Sequence, residues 1–145
     1  MKLSMNPLLK PFEVLIGNWT AVGNHPMLPN VLHGRVSFEW MEGGAFFVMR
    51  SRMDDPQVPD GIMVIGGDDS NGELTAIYYD ERGVSRRMGT SMEGKVWRWW
   101  RNAPGFYQSY VMTLSEDGNT LAGKGELCTD GLTWEQDLDL TCTRT

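Results

Sequence analysis

The chain has 145 residues, enough for one domain with a hydrophobic core that needs neither disulfides nor metals. Its formal net charge is −6, and it has no long basic run, which argues against a nucleic-acid or anionic-membrane surface. Cys128 and Cys142 are its only cysteines. They form no CxxC and no disulfide framework, so free thiols in a cytoplasmic setting are expected.

Residues 1–12 contain no continuous apolar run and read as neither a signal peptide nor a membrane span. Asn6-Pro7-Leu8-Leu9 has the form of an N-cap followed by proline at the first helical position. Phe12, Leu15 and Ile16 follow at helix-like spacing. Residues 7–15 are therefore expected to form one or two short helical turns that plug a barrel end.

The pattern then changes to period two. Strands are predicted at 18–23, 34–40, 45–53, 62–67, 74–79, 84–91, 96–101, 106–114, 120–127 and 133–143. Glycine- and asparagine-containing turns separate most of them, such as Ser70-Asn71-Gly72, Glu81-Arg82-Gly83 and Thr129-Asp130-Gly131. Such residues accept the positive φ of tight reversals. Consecutive hairpins give an antiparallel meander, and about ten strands protect their edges most simply by closing. The predicted fold is all-β: a single up-and-down antiparallel barrel spanning residues 1–145, with a short helical plug.

Alternation also assigns faces. Val36, Phe38 and Trp40 oppose Arg35, Ser37 and Glu39. In the last strand Trp134, Gln136, Leu138, Leu140 and Cys142 share the expected buried face. Trp97, Trp99 and Arg101 share another, leaving Arg98 and Trp100 outside. Those tryptophans are core filler or an aromatic wall for a flat ligand, and an exposed Trp100 suggests a homodimer patch. Gly123 and Gly125 share a face with Leu121 and Leu127, so that wall either borders a hollow or bends. Arg86 and Arg87 are adjacent, so a regular strand turns one of them inward. A buried guanidinium then needs a carboxylate or an anionic ligand.

Gly17-Asn18-Trp19 opens the first strand directly after the helical segment. It resembles the Gly-x-Trp motif of the calycin superfamily, which includes lipocalins, fatty-acid-binding proteins and nitrobindins. The stretch Gly17 to Gly23 is similar to the nitrobindin-like opening, with Ala21 in place of one glycine. Asp80-Glu81-Arg82-Gly83-Val84, Ala103-Pro104-Gly105-Phe106 and Thr133-Trp134-Glu135 resemble a small lipocalin-like bacterial family. The resemblance implies that Trp19 closes one barrel end and that Arg144, on the last strand, packs against it. It also implies a ligand-binding interior. Fatty-acid-binding proteins hold a carboxylate with interior arginine and tyrosine, and Arg86 or Arg87 with Arg101 and Tyr79 stand as counterparts.

The haem-binding histidine that nitrobindins carry near the C-terminus has no counterpart, since the only histidines are His25 and His33. No haem, other cofactor or metal is therefore expected. The expected function is binding of a small apolar or aromatic molecule, with or without an anionic group, by Trp97, Trp99, Arg101, Arg86, Tyr79, Gln136, Trp134, Phe38 and Trp40. Two alternatives are a cyclase or isomerase working in the barrel interior and a non-catalytic dimeric interaction module.

Overall fold

A computed structural model describes residues 5–145. The first four residues of the amino-terminal reading lie outside it. Pro7–Leu15 forms a 3-10 helix, capped by the Asn6 side chain, which accepts the Leu8 N–H at 3.1 Å. Pro7 sits at the first helical position, where its missing N–H costs nothing, but Pro11 inside the segment removes a donor and disfavours regular α-helical bonding. The tighter helix has three residues per turn, so Leu9, Phe12 and Leu15 fall on one face, and all three are buried.

The strands are β1 (Gly17–Asn24), β2 (Leu32–Met41), β3 (Phe46–Met53), β4 (Gly61–Gly67), β5 (Leu74–Asp80), β6 (Ser85–Glu93), β7 (Val96–Ala103), β8 (Phe106–Leu114), β9 (Thr120–Cys128), β10 (Glu135–Gln136) and β11 (Asp139–Arg144). Each of β1 to β9 pairs antiparallel with the next. β11 then joins β9 to β1 and closes a ten-stranded barrel. The two-residue β10 extends the closing strand along β9.

A meander places alternate connections at opposite ends. The helix lies at the end that carries the β2–β3, β4–β5, β6–β7 and β8–β9 turns. There it packs Phe12 against Phe47 and Trp97, with ring centroids 4.8 and 5.5 Å apart. The opposite end is a mouth framed by the β1–β2, β3–β4, β5–β6, β7–β8 and β9–β10 connections.

Trp19 is fully buried in the plugged end and donates its indole N–H to the Leu15 carbonyl at 3.0 Å. Arg144 faces Trp19 across the β1–β11 pair, its guanidinium carbon 4.3 Å from the ring centroid. That guanidinium donates to the carbonyls of Val14, Ile16 and Gly118 at 2.7–3.2 Å. Gly17 permits this approach. Its φ is +133°, and a Cβ there would sit 3.2 Å from Arg144 Nη1.

The closing strand departs from regular alternation. Leu140 pairs with Gly123, but Gln136 pairs with Glu126 and Glu135 with Leu127. Four steps on one strand thus match three on its partner, which is a bulge around Asp137 and Leu138. Asp137 keeps a backbone bond to the Gly125 carbonyl at 2.9 Å. The bulge turns Gln136 out of the expected buried face. Gln136 is exposed, and its amide donates to Asn24 Oδ1 at 2.8 Å. Trp134 precedes β10 in the mouth loop and is about half exposed.

Candidate functional site: the open half of the barrel

Inward side chains differ between the two halves. Near the helix, Trp19, Phe47, Ile65 and Cys142 are 0% exposed. Toward the mouth, Met49, Met53, Met88, Trp99 and Leu140 keep 7–9% exposure, and Tyr78, Arg86, Arg101, Phe106 and Gln108 are half-buried. The open half therefore presents methionines and aromatic faces below a polar ring. Methionine adapts to irregular apolar shapes, and aromatic faces take flat ones.

The polar ring follows from strand register. Tyr78 stands opposite Arg86, and Arg101 opposite Gln108. Arg86 is thus the inward member of its adjacent pair, while Arg87 is exposed beside Ile77 on the outer wall. The Arg86 guanidinium lies 5.3 Å from the Phe106 centroid and 5.9 Å from that of Tyr78. Its Nη1 donates to Gln108 Oε1 at 3.3 Å. Neither Arg86 nor Arg101 forms an ion pair among the described residues.

A carboxylate on this rim, Asp80, is already engaged. Asp80 accepts from Arg82 at 2.6–3.2 Å and from the Tyr78 hydroxyl at 2.8 Å. The Arg82 bonds, assisted by Tyr78, hold the Asp80 carboxyl well below the usual carboxylate range. Burial, and then the bond to Asp80, push the Tyr78 phenol up to about 12. Tyr78 therefore stays a neutral donor at ordinary pH.

Below the ring, Trp99 stacks on Tyr110, with centroids 4.5 Å apart and planes at 5°. Gly123 and Gly125, on the neighbouring strand β9, make room for Tyr110. A Cβ at Gly123 would come within 2.6 Å of the Tyr110 hydroxyl, and one at Gly125 within 3.0 Å of the ring. The two glycines are thus filled by a neighbouring side chain instead of bordering empty space. Thr90 is fully engaged in the same interior. It donates to the Arg98 carbonyl at 2.9 Å and accepts from the Trp97 indole at 2.8 Å.

The residues singled out from the sequence divide into three groups. Arg86, Arg101 and Trp99 come together in the open half. Phe38, Trp40 and Trp97 point inward but belong to the packed half, where Phe38 stacks on Phe47 at 5.6 Å and Trp40 meets Phe47 edge-on at 5.7 Å. Tyr79, Gln136 and Trp134 lie outside the interior. Tyr79 opposes Ile62 on the outer wall and is exposed, because alternation along β5 turns Tyr78 inward in its place. Sequence reasoning missed Tyr78, Gln108, Phe106 and Tyr110. The one usable signal was register, since a tight turn at 81–84 sets Tyr78 opposite Arg86.

Two recesses lie outside the barrel. One, of about 1040 Å³, crosses the outer wall of β1 to β3 over Thr20, Arg35, Ser37 and Arg52. The other, of about 280 Å³, lies beside it on the rim near Asp60 and Tyr79. Both are open to solvent, and neither is lined by Arg86, Arg101 or Trp99.

His25 and His33 do not converge. The His25 Nδ1 accepts the Met27 N–H at 3.0 Å, and its Nε2 faces Asp137 Oδ1 at 3.0 Å, while His33 is exposed. Among the described residues no three His, Cys, Asp or Glu side chains cluster as metal ligands. Nor is any described helix long and apolar enough to cross a membrane.

Neither a family model nor a curated protein matches the chain. Among solved structures it is similar to the crystal structure of Rv2717c from M. tuberculosis. The TM-score is 0.65 at 14% identity, over 97% of this chain and 99% of that one. Likeness at that identity is one of fold, and the closed ten-stranded barrel is consistent with a calycin-like architecture.

Proposed function

We propose that this protein binds a small, largely apolar molecule with an anionic group in the open half of its barrel, in the lipocalin-like manner. The observation that carries the proposal is the pair Arg86 and Arg101. Both stand on inward positions at the mouth, and neither has a carboxylate partner. A half-buried guanidinium without a counter-ion keeps its donors free for an incoming anion. The cation supplies an electrostatic anchor and a planar fork of donors. Trp99, Met88 and Met53 supply apolar contact beneath it.

The test is a fluorescence titration with 1-anilinonaphthalene-8-sulfonate, an anionic aromatic probe, alongside its uncharged parent N-phenyl-1-naphthylamine. The sulfonate is expected to bind better than the parent. Arg86→Met and Arg101→Met are expected to lower its affinity about tenfold, the scale of one charge-assisted bond, and to leave the parent unchanged. Equal losses for both probes, or no loss for either, would refute an anion-binding mouth.

A further inference from the structure

We infer that the Tyr110 hydroxyl is a second, deeper contact for the ligand, so that the site takes a bipolar molecule with an anionic group at the mouth and a hydrogen-bond acceptor further in. This rests on the reading of the open half as a binding site, and it specifies what that site recognises.

Tyr110 Oη is a fully buried side-chain polar atom with no hydrogen-bond partner among the described residues. Leaving such a group unpaired costs about 1–3 kcal/mol. The rest of the residue does not need it. The stack on Trp99 uses only the ring, and phenylalanine would supply the same face. The wall is nevertheless shaped around the hydroxyl, because it is this oxygen that a Cβ at Gly123 would meet first, at 2.6 Å. The Gly123 backbone is itself paired on both sides, in register with Met112 and with Leu140. Thr90 shows that a hydroxyl in this interior is ordinarily paired, in its case twice.

Burial raises the Tyr110 phenol far above its usual range, so it acts as a donor and calls for an acceptor. Tyr110 stands two residues deeper along β8 than Gln108, the partner of Arg86. That offset is about 7 Å of strand. That backbone step orders the two contacts by depth, so a ligand that meets both carries a carboxylate or sulfonate at one end and a hydroxyl or carbonyl oxygen at the other.

The experiment compares 2-naphthoate with 6-hydroxy-2-naphthoate by calorimetric titration, on the wild type and on Tyr110→Phe. The wild type is expected to prefer the hydroxylated probe by on the order of fivefold, as one neutral hydrogen bond allows. Tyr110→Phe is expected to bind both probes as the wild type binds the parent, and the free variant to melt no lower than the wild type. Equal binding of the two probes to the wild type overturns the inference and leaves the mouth site standing. So does a preference that survives in Tyr110→Phe. A melting temperature several degrees lower in free Tyr110→Phe also overturns it, since the hydroxyl would then have an internal partner. Failure of both probes to bind the wild type removes the binding site itself, and the inference with it.

Discussion

Arg144 and Arg86 both lean on aromatic rings at inward positions, at opposite ends of one barrel. Arg144 lies over Trp19 and makes four hydrogen bonds to three backbone carbonyls, which ties the closing strand to the helix and to the β8–β9 turn. Arg86 lies near Phe106 and Tyr78 and makes one long bond to Gln108. The surroundings differ in the same sense. Side chains beneath Arg144 are sealed from solvent, whereas those beneath Arg86 retain access. The same residue type is structurally complete at one end and incomplete at the other. Stability is thus concentrated at the plugged end, and unspent hydrogen-bonding capacity at the mouth.

The largest expected effect comes from removing the ring under Arg144. Trp19→Ala should cost about 3–5 kcal/mol in chemical denaturation, as a large aromatic truncation in a packed core. Arg144→Met should cost about 2 kcal/mol, because it deletes charge-assisted bonds that hold the helix and the closing strand together. If Arg144→Met proved as mild as Arg86→Met, the contrast between the two ends would fail.

A pH experiment sharpens the comparison from the mouth side. Asp80 is stabilised as a carboxylate by Arg82 and Tyr78, so its folded pKa is depressed. Its contribution is fully present above the unfolded value near 4 and is lost as pH falls through the folded value. Thermal melts from pH 6 to pH 2 should show the wild type losing stability below about pH 4. Asp80→Asn should be less stable at pH 6 and flatter across the acid range. An equally steep acid loss in Asp80→Asn would show that this carboxylate is not the one responsible. The smallest effect belongs to Arg86→Met, whose unfolding free energy should stay within about 0.5 kcal/mol of the wild type.

The plugged half was the more legible in the sequence. Phe12 and Leu15 stand at short helical spacing, a local signal, whereas Gly17, Trp19 and Arg144 were placed by the resemblance to the Gly-x-Trp motif. The mouth half depends on register, which is harder to read. Leu74-Ala76-Tyr78 and Thr75-Ile77-Tyr79 are both partly apolar, so alternation alone could not choose which tyrosine turns inward. The bulge at Asp137 and Leu138 carries no glycine to announce it, and one extra residue was enough to move Gln136 outside. Gly123 and Gly125 were visible as gaps, but the ring that fills them comes from Tyr110 on the neighbouring strand. Local chemistry was readable wherever the chain packs on itself nearby. Cross-strand complementarity was not.

The most direct test of a binding mouth on a sealed base uses the six tryptophans as reporters. Their indole N–H signals are assigned by two-dimensional NMR through single substitutions and followed while 1-anilinonaphthalene-8-sulfonate is titrated. The Trp99 signal, below Arg86 and Arg101, should move progressively and saturably, while those of Trp19 and Trp97 stay in place. Movement confined to Trp100 and Trp134 would put the probe on the outer surface and contradict the account. So would a shift of Trp19 equal to that of Trp99.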